Sequence, residues 1–319
     1  MLLGKEALIQ ASKRDLSVKL GLAVVVIALG AIAVNTPGFL TTQNFRAILG
    51  TTTFVGLIAV GMTVIMISGS FVSMSLGSLA TVSAIFFIFA LKFGVATAIF
   101  TTLALGGVLG LIQGYLIGAW AANPIIVTIS AGALLEGLSV ALTAGQAMSP
   151  PNDNYSFLNA TPFGIPLGTF VLLLLVAAVE FLLRRTRLGR EVFMLGESRA
   201  AARAASLSLG EIGSWVFLIA GISAALAGIF LASFNHGASL LLNRGTLNYD
   251  AIAATLIGGT AIAGGRGSIW RTLFGVILIA AITNLVLLRG YSLGAQILFK
   301  GILMSVFVLA IHLRSRETR

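Results

Sequence analysis

Residues 55–84 read VGLIAVGMTVIMISGSFVSMSLGSLATVSA, a stretch without Asp, Glu, Lys or Arg in which Gly61, Gly69 and Gly77 interleave with Ser68, Ser70, Ser73, Ser75 and Ser78. A bilayer core of about 30 Å takes roughly 20 helical residues, and the apolar run 48–68 has that length. A second run begins at 74. Between them the small and hydroxylated residues weaken helix continuity. Lipid offers a broken backbone no hydrogen bonds, so such a break has to be enclosed in protein or line a cavity. Two readings follow. Small residues let helices pack closely, or the hydroxyls of Ser68, Ser70, Ser73 and Ser75 and the freed backbone groups bond a polar solute on a translocation pathway. For a single serine the first is the simpler account; for the cluster the second is the stronger.

The rest of the chain repeats the long apolar run. Of 319 residues 58% are hydrophobic and 9% charged, with a mean hydropathy of +1.04. A soluble domain carries about 25% charged residues, so this much apolar surface needs lipid. The unbroken runs exclude a β-barrel and predict an all-α integral membrane protein of about ten transmembrane helices in a single domain, 1–319. Bounded by Gly, Pro, Asn or charge, the spans fall at 19–36, 48–68, 74–92, 95–120, 125–146, 165–183, 212–234, 250–263, 269–289 and 294–313. The bases before Leu20 superficially resemble a signal peptide, but nine further spans favour a retained anchor.

The net charge of +10 does not point to nucleic acid, because the bases flank the spans. Of the 20 Lys and Arg, only Arg46, Lys92, Arg244 and Arg289 fall outside when the N-terminus is cytoplasmic, and Lys300 lies within the last span; the other fifteen fall inside. This bias predicts both termini in the cytoplasm, with 1–18 a cytoplasmic N-terminal segment. The interval Ala147–Pro166, without Lys or Arg, reads as an external loop, either a linker or a surface for a soluble partner. The interval 184–211 is cytoplasmic. In it Ser198 suits a helix cap and Arg199, Ala200, Ala201, Ala202, Arg203, Ala204 and Ala205 a short helix between spans 6 and 7, too polar and too short to span, which a plain amphipathic surface helix would also explain.

Chemistry-bearing residues are few. There is no cysteine, hence no thiolate or cysteine metal site, and His236 and His312 are too far apart to imply a cluster. The stretch YDAIAATLIGGTAIAGGRGSIWRTLFG adds Thr260 as a pathway candidate, and its GGRG, lacking a preceding strand and the Walker Lys, reads as a tight cytoplasmic turn. Ionisable groups within spans cost roughly 2.5–3.5 kcal/mol each at a helix centre. Glu136 therefore has to face protein or water, while Lys300 lies near enough to an end to snorkel. The spans offer hydroxyls without a neighbouring His, Asp or Glu, which argues against an intramembrane enzyme.

Four stretches in order carry a resemblance over nearly the whole chain: VGMTVIMISG followed by SMSLGSLA; NPIIVTISAGALLEGLSVALTAG; TRLGREVFMLGESRAAARAASLSL; and YDAIAATLIGGTAIAGGRGSIWRTLFGVIL with QILFKGILMSVFVLA. Together they resemble membrane permease subunits of bacterial ABC importers of the ribose type, a superfamily shared with branched-chain amino-acid permeases. The resemblance implies a multi-pass bacterial inner-membrane protein that binds no cofactor itself. A partner ATPase uses ATP-Mg, an extracytoplasmic binding protein delivers the solute, and a second permease copy or a related permease completes the pore. It also implies that the segment with Gly196, Ser198, Arg199, Ala201, Ala202 and Arg203 is the coupling helix that docks on the ATPase.

The chain departs from the family pattern in three places. Ser73 stands near a usual acid, Glu136 where Arg is common, and Ser206 where Gly is common. Hydroxyls and backbone dipoles suit a neutral polyol, so import of a sugar or similar solute is the leading expectation. A branched-chain amino acid or nucleoside is the alternative within the class, and an ion-coupled carrier using Glu136 and Lys300 the alternative outside it.

Overall fold

The computed structural model describes residues 35–70, 72–151, 154–240, 246–292, 294–302 and 305. Ten α-helices follow in order: α1 Thr42–Ile67, α2 Leu76–Ala90, α3 Val95–Gly118, α4 Pro124–Thr143, α5 Leu167–Arg185, α6 Arg187–Glu197, α7 Arg199–Ala204, α8 Leu209–Phe234, α9 Thr246–Ile257 and α10 Ile269–Leu288. Residues 294–302 are also helical. Among the described residues there is no strand, only one antiparallel bridge between Met148 and Ala238. Among the described residues seven helices are long and apolar enough to cross a membrane: α1, α2 with its 3₁₀ extension to Phe93, α3, α4, α5, α8 and α10.

The difference from ten spans has identifiable sources. The expected span 19–36 lies outside the described residues except for its last two, and only part of 294–313 is described. The expected span 250–263 is shorter than the reading allowed. α9 ends at Ile257, where Gly258 and the left-handed Gly259 (φ +76°) turn the chain. Its 12 residues reach about 18 Å at 1.5 Å per residue, short of a bilayer core of about 30 Å. The interval 184–211 also holds a helix the sequence reading left out: α6, capped by Thr186, whose Oγ1 accepts from the Gly189 amide at 3.2 Å.

The helices cluster into two compact units. The first comprises Met1–Phe45 and Ala281–Arg319. In it Asn284 Nδ2 donates to Asn44 Oδ1 at 2.8 Å, and Asn44 Nδ2 donates to the Phe39 carbonyl at 2.8 Å.

The second unit, Arg46–Ala280, is organised around α1 and α8, both largely buried. Lipid gives helices no hydrophobic reason to associate, so contact has to come from close van der Waals approach. α3 supplies it with Gly106, Gly110, Gly114 and Gly118, four residues apart on one stripe. A methyl added at Gly106 would sit 2.6 Å from Ala225 Cβ, and one at Gly110 would overlap the Phe217 carbonyl oxygen. At Gly114 and Gly118 it would overlap the Gly213 and Leu209 carbonyls. α8 packs against α1 at Gly61, where a methyl would come within 2.8 Å of Ala220 Cα, and through the edge-on Phe54 and Phe234 rings, 5.3 Å between centroids. α4 and α5 keep apolar faces outward, with Leu134, Leu142 and Leu174 exposed. The loop after α4 is tied to the end of α8. Asn159 Nδ2 donates to the Ser233 carbonyl at 2.8 Å, and the backbones of Met148 and Ala238 bond reciprocally.

The seam can be tested by adding carbon to it. Gly110→Val should destabilise by at least about 2 kcal/mol through overpacking. Gly137→Ala, with open space around the new methyl, should be neutral or stabilise by up to about 1 kcal/mol through helix propensity. Unfolding in detergent micelles measures both, and equal effects would dismiss the seam as the organising contact.

Candidate functional site

The break after α1 lies at 68–75, where the serine cluster falls. α1 ends with Gly69 left-handed (φ +75°), and the Ser68 and Ser70 amides bond back to Val64 and Ile65 carbonyls at 3.1 and 3.4 Å. The chain then returns toward α2 with its backbone groups exposed to whatever surrounds them. Distant helices satisfy them. Asn248 on α9 accepts from the Gly77 amide through Oδ1 and donates to the Met74 carbonyl through Nδ2, both at 2.7 Å. Thr128 on α4 accepts from the Met74 amide at 3.1 Å. Gln113 on α3 accepts from the Ser75 hydroxyl at 2.7 Å, and that hydroxyl lies 3.1 Å from Ser73 Oγ. Each bond replaces one that lipid cannot make; a buried group left unsatisfied costs about 1–3 kcal/mol.

This closes the cluster in the present conformation. Ser68, Ser70, Ser73 and Ser75 are at most 5% exposed, and Ser68 donates to the Ile65 carbonyl and to Ser70. Thr260, the fifth pathway candidate, is also buried and its hydroxyl makes no hydrogen bond. Asn248, Gln113 and Thr128, which hold the break together, were not among the candidates.

A second constellation gathers where α1, α6 and the turn before α10 meet. The Gly265 amide donates to the Ile67 carbonyl at 2.9 Å. A methyl at Gly196 would overlap that carbonyl, and one at Gly264 would lie 2.6 Å from Gly69 Cα and 2.8 Å from the Gly196 carbonyl oxygen. Three segments remote in sequence thus touch backbone to backbone, and Gly264 and Gly265 adopt φ of +93° and +72°, which a side chain would strain. Beside them Glu180 on α5 accepts from the Ile269 amide at 2.8 Å and from Ser268 Oγ at 3.1 Å, capping α10, and pairs with Arg184 at 3.2 Å.

α7 follows directly. Ser198 Oγ accepts from the Ala201 amide at 3.2 Å, the cap expected from the sequence. The six expected coupling residues do not share one face. Ala202 is fully buried and Gly196 is wedged in the glycine junction, whereas Ala201 and Arg203 are exposed and Ser198 and Arg199 half-exposed. Gly196 and Ala202 therefore seat the helix, and Arg199, Ala201 and Arg203 are the residues a docking protein can reach. Ser206, just past the helix, is left-handed at φ +57°, a conformation in which Gly would be unstrained.

Glu136 Oε1 accepts from the Ser78 hydroxyl at 2.6 Å, a partner the sequence did not indicate, and Lys300 belongs to the other compact unit. His236 is exposed beside the Tyr155 hydroxyl, 3.4 Å from its Nδ1; His312 lies outside the described residues.

Over residues 44–311 the chain matches the family described as branched-chain amino acid transport system / permease component. It is 32% identical to the probable ABC transporter permease protein YphD of Escherichia coli strain K12, covering 92% of this chain and 89% of that protein. It is 32% identical to the ribose import permease protein RbsC of Bacillus subtilis strain 168, covering 91% and 90%. It is 29% identical to the Escherichia coli K12 protein of the same name, covering 90% and 91%.

Two substitutions probe the geometry. Asn248→Ala should destabilise the folded protein by about 2–4 kcal/mol, because it orphans two buried backbone groups. Ser206→Gly should stabilise it by about 1 kcal/mol by relieving the left-handed conformation. Thermal unfolding in micelles reads both, and a neutral Asn248→Ala would remove the clasp from the account.

Proposed function

This chain belongs to the branched-chain amino acid transport system / permease component family, and on that premise we propose that it is the transmembrane subunit of an ATP-binding-cassette importer carrying a sugar or similar polyhydroxylated solute inward. The observation that carries the reading is end-to-end likeness to proteins described as ribose import permeases, about nine-tenths of each chain being matched. The chain is thus a transporter component of the bacterial inner membrane and not an enzyme.

The finer reading follows from the family's division of labour. A separate ATPase binds ATP-Mg and supplies the work, an extracytoplasmic solute-binding protein loads the outer face, and two copies of this chain, or this chain with a related permease, surround the path within membrane lipid. Residues 1–319 act as one permease domain of about ten helices set in the membrane, α9 too short to cross it alone, with 1–18, 184–211 and the C-terminus in the cytoplasm. The charge distribution supports that orientation: Arg184 and Arg185 end α5, Arg187 and Arg190 lie on α6, Arg199 and Arg203 on α7, and Arg266 on the turn that meets Gly196.

In this reading α7 docks on the ATPase through Arg199, Ala201 and Arg203, seated by Ser198, Gly196 and Ala202. A push on α7 reaches Gly196 and, through backbone contact, the inner end of α1 where the break begins. The serines of the break and Thr260 then trade bonds with protein for bonds with the solute as the path opens. The ion-coupled alternative has less support, because the Ser78 hydroxyl already satisfies one oxygen of Glu136.

The test is reconstitution in proteoliposomes with an ATPase and binding protein, using ribose, leucine and a nucleoside as solutes. ATP-driven ribose uptake is expected. Ala201→Asp, on the exposed side of α7, should cut uptake at least about tenfold while changing stability by less than about 0.5 kcal/mol. Uptake driven by an ion gradient without the ATPase would overturn the proposal, and uptake of leucine alone would replace the sugar.

A further inference from the structure

Glu136 is the thirteenth residue of the 20-residue α4, about 18 Å from the Pro124 end and about 10 Å from the Thr143 end at 1.5 Å per residue. That depth is near the middle of the bilayer. Its side chain is exposed, with the exposed Ile129 and Val140 on its own side of α4 and the buried Gly132 and Ser139 one turn to either side. α4 carries no other charged residue. Among the described residues the carboxyl is held by Ser78, whose hydroxyl bonds Oε1 at 2.6 Å. Ser78 is itself 4% exposed and fixed on α2 just beyond the break.

A carboxyl at mid-bilayer depth does not face hydrocarbon. A dry interface with a second copy would take the carboxylate out of water, which is costly unless the partner supplies donors. The remaining surrounding is a water-filled path. We propose that Glu136, oriented by Ser78, is a solute-contacting group in that path: Oε1 is held by Ser78, leaving Oε2 to accept hydroxyl hydrogen bonds from a neutral polyol. This rests on the permease reading and adds a binding group to it. The same carboxyl repels anionic solutes, so it contributes to specificity as well as to affinity.

Because the chain has no cysteine, Glu136→Cys introduces a sole thiol. In the reconstituted importer that thiol should react with a charged, membrane-impermeant methanethiosulfonate in at least one nucleotide state. Ribose presented by the binding protein should slow the reaction. Ribose uptake should fall about tenfold or more in Glu136→Ala and less in Glu136→Gln, whose amide oxygen still accepts, while binding-protein-stimulated ATP hydrolysis persists. A thiol that never meets the charged reagent, or that forms a disulfide with the second copy, would overturn the proposal, as would unchanged uptake by Glu136→Ala. Failure of the unsubstituted importer to move any polyol would sink the sugar reading instead. Labelling would still decide whether residue 136 faces water, and labelling that no panel solute slows would end its solute-contacting role.

Discussion

Hydrocarbon accepts and donates no hydrogen bonds, and every irregularity in this chain's backbone has to be answered from within the protein. The interruption between α1 and α2 is where that constraint is sharpest. Asn248, Thr128 and Gln113, from three helices, converge on residues 73–77 because the amides and carbonyl freed there have no other source of partners. An unbroken helix would have been cheaper. The break persists because neighbouring helices compensate it at Met74, Ser75 and Gly77, and such compensation is worth building only where the interruption has a use.

Close backbone approach is the second consequence of life in lipid. Where apolar side chains gain nothing by leaving hydrocarbon for protein, glycine brings main chains within contact distance and makes dispersion count. The α3 stripe from Gly106 to Gly118 does this along the length of α8, and the trio of Gly196, Gly264 and Gly265 does it at a single point against Ile67 and Gly69. The two arrangements differ mechanically. A long seam resists sliding, whereas a point contact without side chains lets one segment push another with little slack.

Much of this was legible in the chain itself. The end of the run 48–68 and the restart at 74 mark the facing edges of α1 and α2, because Ser and Gly density signals the end of helical continuity directly, whereas α1 begins six residues before the expected 48, at Thr42. Ser198 announced the start of α7 through its capping chemistry. The fourfold spacing of Gly106, Gly110, Gly114 and Gly118 was equally visible and went unused. What could not be read was anything that depends on a partner far along the chain. Asn248 looks like any helix-start amide until Gly77, 171 residues away, is placed against it. The inward face of α7 was also hidden, since a six-residue helix of Ala and Arg has no apolar stripe to say which alanine turns in. Length misled at 250–263, where Gly258 and Gly259 end α9 while the composition remains apolar beyond them.

The two constellations acquire a common sense when their positions along α1 are considered. Ile67 and Gly69 belong both to the glycine junction and to the start of the break, so a displacement of α6 and α7 meets the chain at its least helical point. There, motion requires no helix to unwind, only the exchange of a few side-chain bonds such as Ser75 to Gln113. A neutral polyol offers the same donors and acceptors as the bonds that would be released, so opening in its presence trades one set of hydrogen bonds for another of similar strength. Opening without it would leave buried hydroxyls to water alone. In the proposed cycle that difference ties the partner's stroke to the arrival of solute, and it arises from the chemistry of serine and amide groups at a broken helix.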